Sequence, residues 1–203
     1  MKTFGLGLSW CLNTRSIIGV VLAAVLAGLA LVPFAAQAAT RALLIGVSDY
    51  DNSIGLADLR GPANDVRLLR DVLTERGVAD LRLLADGVET AERPTRKAIM
   101  AALAKLVEDS KSGDLAIIHF SGHGTRQIDA NGDEQDGFDE VFLPSDVTRA
   151  PSDTGLIPNA ILDEEIGAAV RKLRSSGVDV WTIMDFCHAG TGLRSGGRET
   201  ASR

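Results

Sequence analysis

The sequence predicts an α/β fold: a three-layer αβα sandwich around a mostly parallel sheet. Two observations support this prediction: the order of apolar segments along the chain, and its length and composition. Short runs of almost uninterrupted apolar residues alternate with segments whose apolar residues recur at helical spacing. Strands that are apolar on both faces are typical of a parallel sheet with helices on each side. With 203 residues, 45% of them hydrophobic, the chain is long enough for one globular domain with its own core.

The first predicted βα unit covers residues 41 to 77. Arg41–Ser48 is an apolar run, which favours a buried strand. Pro62–Gly77 has proline in its first turn and glycine at its end, with Val66, Leu69 and Leu73 on one face between them. This is the pattern of an amphipathic helix that packs on the sheet.

The remaining segments continue the alternation of strand and helix. We expect the ends of the parallel strands to meet at one edge of the sheet, where ligands and reacting groups bind in such folds. A glycine-rich turn, Ser121–Gly124, follows one of these strands. The other predicted elements are strands over Leu81–Leu84, Leu115–Phe120 and Val178–Met184, an extended piece over Glu140–Leu143, and helices over Pro94–Ser110 and Asp163–Ser176.

The net charge excludes one large class of function. There are 21 Lys and Arg residues against 27 Asp and Glu, which gives a net charge of -6. A nucleic-acid partner needs a basic surface that displaces counterions from phosphates. We therefore expect the protein to bind no nucleic acid.

The first 38 residues predict a secretory signal peptide. Lys2 and Arg15 are their only charges, an uncharged apolar stretch follows, and Ala36–Ala38 has the small-residue pattern of a cleavage site. We expect cleavage at that point and an exported protein, periplasmic or secreted. The alternative is an uncleaved membrane anchor, although the apolar stretch is short for a full span. Cleavage would remove Cys11 and leave Cys187 as the single cysteine, without a partner for a disulfide.

A histidine and a cysteine follow two of the predicted strands. A thiol attacks a peptide carbonyl as the thiolate, so it needs a nearby base and donors for the developing oxyanion. We predict that Cys187 is the nucleophile and that His123 is the general acid and base. His123 lies between two glycines, which would let the backbone approach a substrate closely and leave the Gly124 N–H free. The N–H groups of Gly124 and Cys187 are the predicted oxyanion donors.

The motifs around these residues resemble the metacaspase branch of the caspase-like cysteine peptidases. The resemblance covers essentially all of Arg41 to Gly192. It implies that residues 39–192 form a caspase-like p20 catalytic domain and that residues 193–203 are a flexible tail. The four motifs that support it are His119–Gly124 (HFSGHG), Asp185–Gly190 (DFCHAG), Gly61–Val66 (GPANDV), and the acidic stretch Asp129–Glu140 leading into VFLP.

The resemblance also implies a substrate. Metacaspases cut after Arg or Lys, and the positions that match their acidic pocket are Asp65, Ser121 and Asp185. Two carboxylates in a partly desolvated pocket would favour a guanidinium or ammonium group and reject an acidic side chain. The expected partner is thus a peptide or protein substrate with a basic P1 residue. For Asp65 there is an alternative, because an acid in the first turn of a helix is favoured by the helix dipole alone.

No cofactor is required for this chemistry, but the resemblance makes calcium a possible activator. The positions that match the family's calcium site are Asp139, Asp163 and Glu164. Arg194 stands where family members often place a further aspartate, which argues against calcium dependence. The alternative is that Asp163, Glu164 and Glu165 serve the helix dipole.

Few residues follow Cys187, and caspase-like folds normally continue with a smaller portion that adds strands. We expect this small-subunit portion to be lacking: either the chain is a fragment, or it resembles bacterial relatives that keep only the large-subunit-like domain. In both cases we expect the last strand to expose an edge for self-association or a small-subunit-like partner. The alternative function is a weak or inactive caspase-like binding domain that needs a partner chain. Another is a non-peptidase hydrolase or acyltransferase that uses the same dyad. His119 and His188 are expected to be structural, and His119 a satisfied core residue.

Overall fold

The computed structural model describes residues 38–132 and 134–186. Residues 1–37 of the predicted signal peptide, Asp133, Cys187 and the predicted tail over 193–203 lie outside the described residues, so the domain boundaries stay predictions. The described elements, in chain order, are β1 (Thr40–Gly46), a short 3-10 helix (Asn52–Ile54), α1 (Gly61–Glu75), β2 (Asp80–Ala85), α2 (Arg96–Asp109), β3 (Leu115–Gly122), β4 (Gly124–Ile128), β5 (Phe138–Phe142), β6 (Ile161–Leu162), α3 (Asp163–Ser175) and β7 (Asp179–Phe186).

The main sheet is parallel and confirms the predicted fold class. Its strand order is β2-β1-β3-β7, and each neighbouring pair runs in the same direction. Successive residues of a strand point to opposite faces, so each strand contributes to two cores. Leu44 and Ile117 pack on one face with Val66 of α1. Leu43 and Ile118 pack on the other face, together with α2 and α3. These are the three layers.

The start of α1 lies very close to the end of β1. An added Cβ at Gly46, the last residue of β1, would lie 2.8 Å from the Pro62 carbonyl oxygen and 2.8 Å from Val66 Cγ2. The Ser48 hydroxyl accepts a hydrogen bond of 3.1 Å from the Ala63 N–H, which satisfies one of the free amides at the helix start. Glycine at position 46 therefore lets α1 sit close enough for its second turn to reach β3.

The predicted turn over Ser121–Gly124 is wrong. β3 continues through Gly122, because Ser121 and Gly122 pair in register with Asp185 and Phe186 of a longer β7. β4 begins directly afterwards at Gly124, and it forms a second, antiparallel sheet with β5 and β6. The partners that turn this segment into strand lie far away in the chain, so local composition does not reveal them.

The described residues contain no helix that is both long and apolar enough to cross a membrane.

Candidate active site

The strands that lead to His123 and to Cys187 end side by side. Gly122 ends β3, Phe186 ends β7, and the two are register partners in the parallel sheet. His123 follows Gly122 in the chain, and Cys187 follows Phe186. The two strands therefore end at the same edge of the sheet. Cys187 lies outside the described residues, so its pairing with His123 stays a prediction.

His123 is the single residue between β3 and β4, and its backbone is bonded on both sides. Its N–H donates to the Tyr50 hydroxyl at 2.9 Å, and its carbonyl accepts from the Leu143 N–H at 3.0 Å. The Tyr50 hydroxyl in turn donates to the Leu143 carbonyl at 3.0 Å. The Tyr50 ring packs against the imidazole, with ring centroids 4.8 Å apart. These contacts fix the backbone from which the imidazole projects.

The imidazole itself is held by a main-chain oxygen. His123 Nε2 lies 2.9 Å from the carbonyl oxygen of Ala57. A carbonyl oxygen only accepts, so the contact requires a proton on Nε2 and leaves Nδ1 as the basic nitrogen of the neutral ring. A ring with one tautomer and one orientation is suited to move a proton between a thiol and a leaving amine. No sequence signal points to Ala57, because it contributes a carbonyl that every residue carries.

The three predicted pocket residues come together on the face of the sheet that α1 covers. Ser121 is 2% exposed, and its Oγ donates to Asp65 Oδ2 at 2.9 Å. Asp185 is the register partner of Ser121 on β7 and is exposed. Register partners in a parallel sheet point to the same face, so the Asp185 side chain lies on the side of Asp65 and Ser121. Their function in binding substrate stays a prediction.

Asp65 does not have the position that the helix-dipole alternative requires. The helix begins at Gly61, which places Asp65 in its second turn rather than its first. Its carboxylate accepts from the Ser121 side chain, a contact between α1 and β3. The dipole acts mainly on the first turn of a helix, so it gives no reason for an acid at this position.

His119 lies on the same face of β3, two residues before Ser121, and is 2% exposed. Burial lowers its pKa, and the nearby carboxylates of Asp65 and Asp185 partly offset this effect. The ring is therefore neutral near pH 7 and places no positive charge beneath the two acids. The predicted core location is confirmed. Nδ1 has no hydrogen-bond partner among the described residues, so the predicted satisfaction of the ring stays a prediction.

Gly122 has no room for a side chain. An added Cβ at this position would lie 2.9 Å from the Tyr50 hydroxyl and 3.1 Å from Phe142 Cε2. The missing side chain thus makes room for Tyr50, and a close approach of a substrate to this backbone stays a prediction.

The position of Gly124 is compatible with the predicted oxyanion donor. It pairs with Phe142 of β5, next to the pair His123–Leu143 that carries an inter-strand hydrogen bond. Hydrogen-bonded and non-hydrogen-bonded pairs alternate in an antiparallel ladder, so the Gly124 N–H points away from β5. The oxyanion function of Gly124 and Cys187 stays a prediction.

The residues predicted to bind calcium lie around the second sheet and the start of α3. Asp139 is 4% exposed and accepts from Gln127 Nε2 at 3.3 Å, while Asp163 is exposed and Glu164 is half-buried. Within residues 38–132 and 134–186, no group of three or more His, Cys, Asp or Glu side chains is arranged to hold a metal ion. Calcium binding stays a prediction. Glu165 does serve the helix start, since it accepts from the backbone N–H three residues earlier at 3.0 Å.

The family model and the curated relatives that match this chain agree on one family. Residues 40–195 match the model of the metacaspase, peptidase C14 domain. The chain is 37% identical over 155 residues to Metacaspase-2 of Arabidopsis thaliana, covering 74% of this chain and 34% of that protein. It is 39% identical over 158 residues to Metacaspase-1B of Aspergillus terreus, covering 75% and 39%. A crystal structure of a Geobacter sulfurreducens protein superposes with a TM-score of 0.58 at 26% identity, covering 75% and 52%. The chain thus spans little more than a third of the curated relatives it matches.

Proposed function

Because the chain belongs to the metacaspase family, peptidase C14, we propose that it is a cysteine endopeptidase that cleaves after Arg or Lys. One observation carries the proposal: the hydrogen bond from His123 Nε2 to the Ala57 carbonyl, which leaves Nδ1 to accept a proton. His123 follows β3, and Cys187 follows the neighbouring strand β7.

The proposed reaction is acyl transfer through Cys187. His123 Nδ1 takes the thiol proton, and the sulfur attacks the carbonyl carbon of the scissile bond. The N–H groups of Gly124 and Cys187 stabilise the charge that develops on the carbonyl oxygen. As the C–N bond breaks, His123 gives the proton to the leaving amine and a thioester remains. Water, deprotonated by His123, attacks the thioester, which releases the acid and restores the thiol.

The proposed specificity comes from the acids on the α1 face of the sheet. Asp65 and Asp185 would supply two negative charges to a guanidinium or ammonium group, and Ser121 already holds the Asp65 carboxylate at 2.9 Å. Charge-assisted hydrogen bonds to a carboxylate are stronger than neutral ones. The same carboxylates repel an acidic side chain and so exclude it. The buried His119 ring is neutral, so it places no positive charge near the acids that would repel a bound guanidinium or ammonium group.

Labelling with an electrophilic peptide ketone tests the proposed function. A probe with Arg at P1 is expected to modify a single residue, and mass spectrometry should identify that residue as Cys187. The Cys187→Ala variant is expected to remain unlabelled. The matched probe with Asp at P1 should react at least about tenfold more slowly, since the pocket holds two carboxylates. Each measurement is made with and without calcium.

Two outcomes would contradict the peptidase. If iodoacetamide modifies Cys187 but neither peptide probe does, the thiol is accessible and the chain is a binding domain. If both probes react equally and no Arg or Lys peptide is hydrolysed, the dyad belongs to a non-peptidase hydrolase or acyltransferase.

The second candidate function is a domain that is weak or inactive alone and needs a partner chain. Among the described residues β7 pairs only with β3, and its Trp181 and Met184 side chains are 59% and 44% exposed. An open strand edge with exposed apolar side chains favours pairing with a further strand. We propose that this edge takes a strand from a second copy of the chain.

Dilution tests this self-association. We expect activity per mole of protein to rise with concentration, in parallel with the dimer fraction from sedimentation velocity. Trp181→Glu should abolish both trends, whereas Ile128→Glu, a matched change at a β4 residue that is 51% exposed, should abolish neither. A monomer whose specific activity does not depend on concentration would show that a second copy does not complete the site.

A further inference from the structure

The chain's single tyrosine lies at the centre of the hydrogen bonds around His123, and neither the family match nor the proposed reaction gives it a task. Tyr50 is in the loop between β1 and α1 and is 6% exposed. Its hydroxyl accepts from the His123 N–H at 2.9 Å and donates to the Leu143 carbonyl at 3.0 Å. One hydroxyl thus uses both its acceptor and its donor capacity on the segment that carries the imidazole.

The direction of these hydrogen bonds depends on a protonated tyrosine. Burial raises the pKa of Tyr50 far above its ordinary value, although the hydrogen bond from the His123 N–H works in the opposite direction. The hydroxyl is therefore protonated throughout the pH range in which the protein is studied. It remains a donor to Leu143 whenever it accepts from His123.

Tyr50 also holds the loop that orients the ring. Its backbone N–H donates to Asp58 Oδ1 at 3.0 Å, next to Ala57, whose carbonyl lies 2.9 Å from His123 Nε2. The Tyr50 ring packs against the imidazole at a centroid distance of 4.8 Å. The same residue thus ties together the backbone of His123, its ring and the main-chain acceptor that selects its tautomer.

We propose that Tyr50 is a positioning residue that fixes the orientation and the tautomer of His123. This proposal rests on the proposed peptidase function, in which Nδ1 must face the thiol. A small displacement of a catalytic group is costly to the chemical step, while the binding of substrate is little affected. The glycine at position 122 fits this function, since a Cβ there would lie 2.9 Å from the hydroxyl oxygen.

The test compares Tyr50→Phe with a matched removal of a buried hydroxyl. Phenylalanine keeps the ring and loses both hydrogen bonds of the oxygen. Ser110→Ala is the control, because Ser110 is 9% exposed and also donates to a backbone carbonyl, at 2.7 Å, but far from His123 in the fold. Tyr50→Phe is expected to lower kcat on an Arg peptide about tenfold, with KM changed less than about twofold, and Ser110→Ala is expected to leave both unchanged.

A spectroscopic readout separates this proposal from the proposed function. Nitrogen-15 NMR of the wild-type protein is expected to show His123 with its proton on Nε2, and Tyr50→Phe to show a mixture of both tautomers. Gly122→Ala, which displaces the hydroxyl without removing it, should give the same mixture. If Tyr50→Phe keeps the Nε2–H tautomer and the kcat of the Ser110→Ala control, Tyr50 has no positioning function. If the wild-type protein hydrolyses no peptide, the peptidase proposal fails, while the tautomer measurement still decides the function of Tyr50.

Discussion

Alanine in place of His123 is expected to lower kcat/KM on a peptide with Arg at P1 about a thousandfold. General acid–base catalysis by a positioned side chain contributes about 10²- to 10⁴-fold, and here one ring would serve both the thiol and the leaving amine. The measurement is steady-state hydrolysis of a fluorogenic peptide, together with the pH dependence of alkylation by iodoacetamide. In the wild-type protein the thiol should react at lower pH than in the variant, because the imidazole stabilises the thiolate.

His123→Gln separates proton transfer from hydrogen bonding. Glutamine has an amide N–H that can donate to Ala57, as His123 Nε2 does at 2.9 Å, but it has no basic nitrogen. We expect His123→Gln to be as inactive as His123→Ala and closer to the wild-type protein in thermal stability. Activity within about tenfold of the wild-type value in both variants would mean that another group acts as the base.

Asparagine in place of Asp65 is expected to lower kcat/KM for an Arg peptide about 10- to 100-fold, mainly through KM. A hydrogen bond to a charged group is worth about 1.5–3 kcal/mol, which corresponds to this range. Asparagine can still accept from Ser121 Oγ, so the change removes the charge and leaves the 2.9 Å contact available. The kcat/KM for a peptide with Gln at P1 should change little in Asp65→Asn. The ratio of kcat/KM for the Arg peptide to kcat/KM for the Gln peptide therefore measures the loss of specificity. Asp185→Asn is expected to act in the same direction.

Asp71→Asn is the matched control for Asp65→Asn. Both residues lie on α1, but the Asp71 side chain is 60% exposed and pairs only with the neighbouring Arg70 among the described residues. Each change removes one negative charge from the same helix. If the two variants lose activity equally, the effect is one of net charge and Asp65 does not contact the substrate. If neither loses activity, the acidic pocket lies elsewhere.

The two strands that lead to the candidate site could be predicted from the sequence, because a strand that is buried on both faces is an uninterrupted apolar run. Leu115–Phe120 and Val178–Met184 are apolar runs, and the sheet buries most of the first on both sides. Their parallel arrangement predicts that the two strands end at the same edge, and the register of Gly122 with Phe186 agrees. That His123 and Cys187 meet there stays a prediction. The acids could be proposed as a substrate pocket only through the family's motifs.

The parts that could not be predicted depend on contacts between distant residues. β4 is polar in sequence and is a strand only because β5 pairs with it across the acidic loop. Tyr50 is one aromatic residue in a loop, and its partner Leu143 lies 93 residues away in the chain. Ala57 acts through its backbone. Local patterns record none of these relations, since propensity and periodicity concern neighbours in sequence.

The alternation of side chains along β3 separates two tasks in adjacent residues. Ser121 points to the α1 layer, with Asp65, while Phe120 and the vacant side-chain position of Gly122 belong to the opposite face, with Phe142 and Tyr50. The proposed recognition of the substrate's charge and the proposed alignment of His123 therefore depend on opposite faces of the same strand. If the proposed peptidase function holds, substitutions on the α1 face of β3 should change the preferred P1 residue and leave the orientation of the His123 ring unchanged.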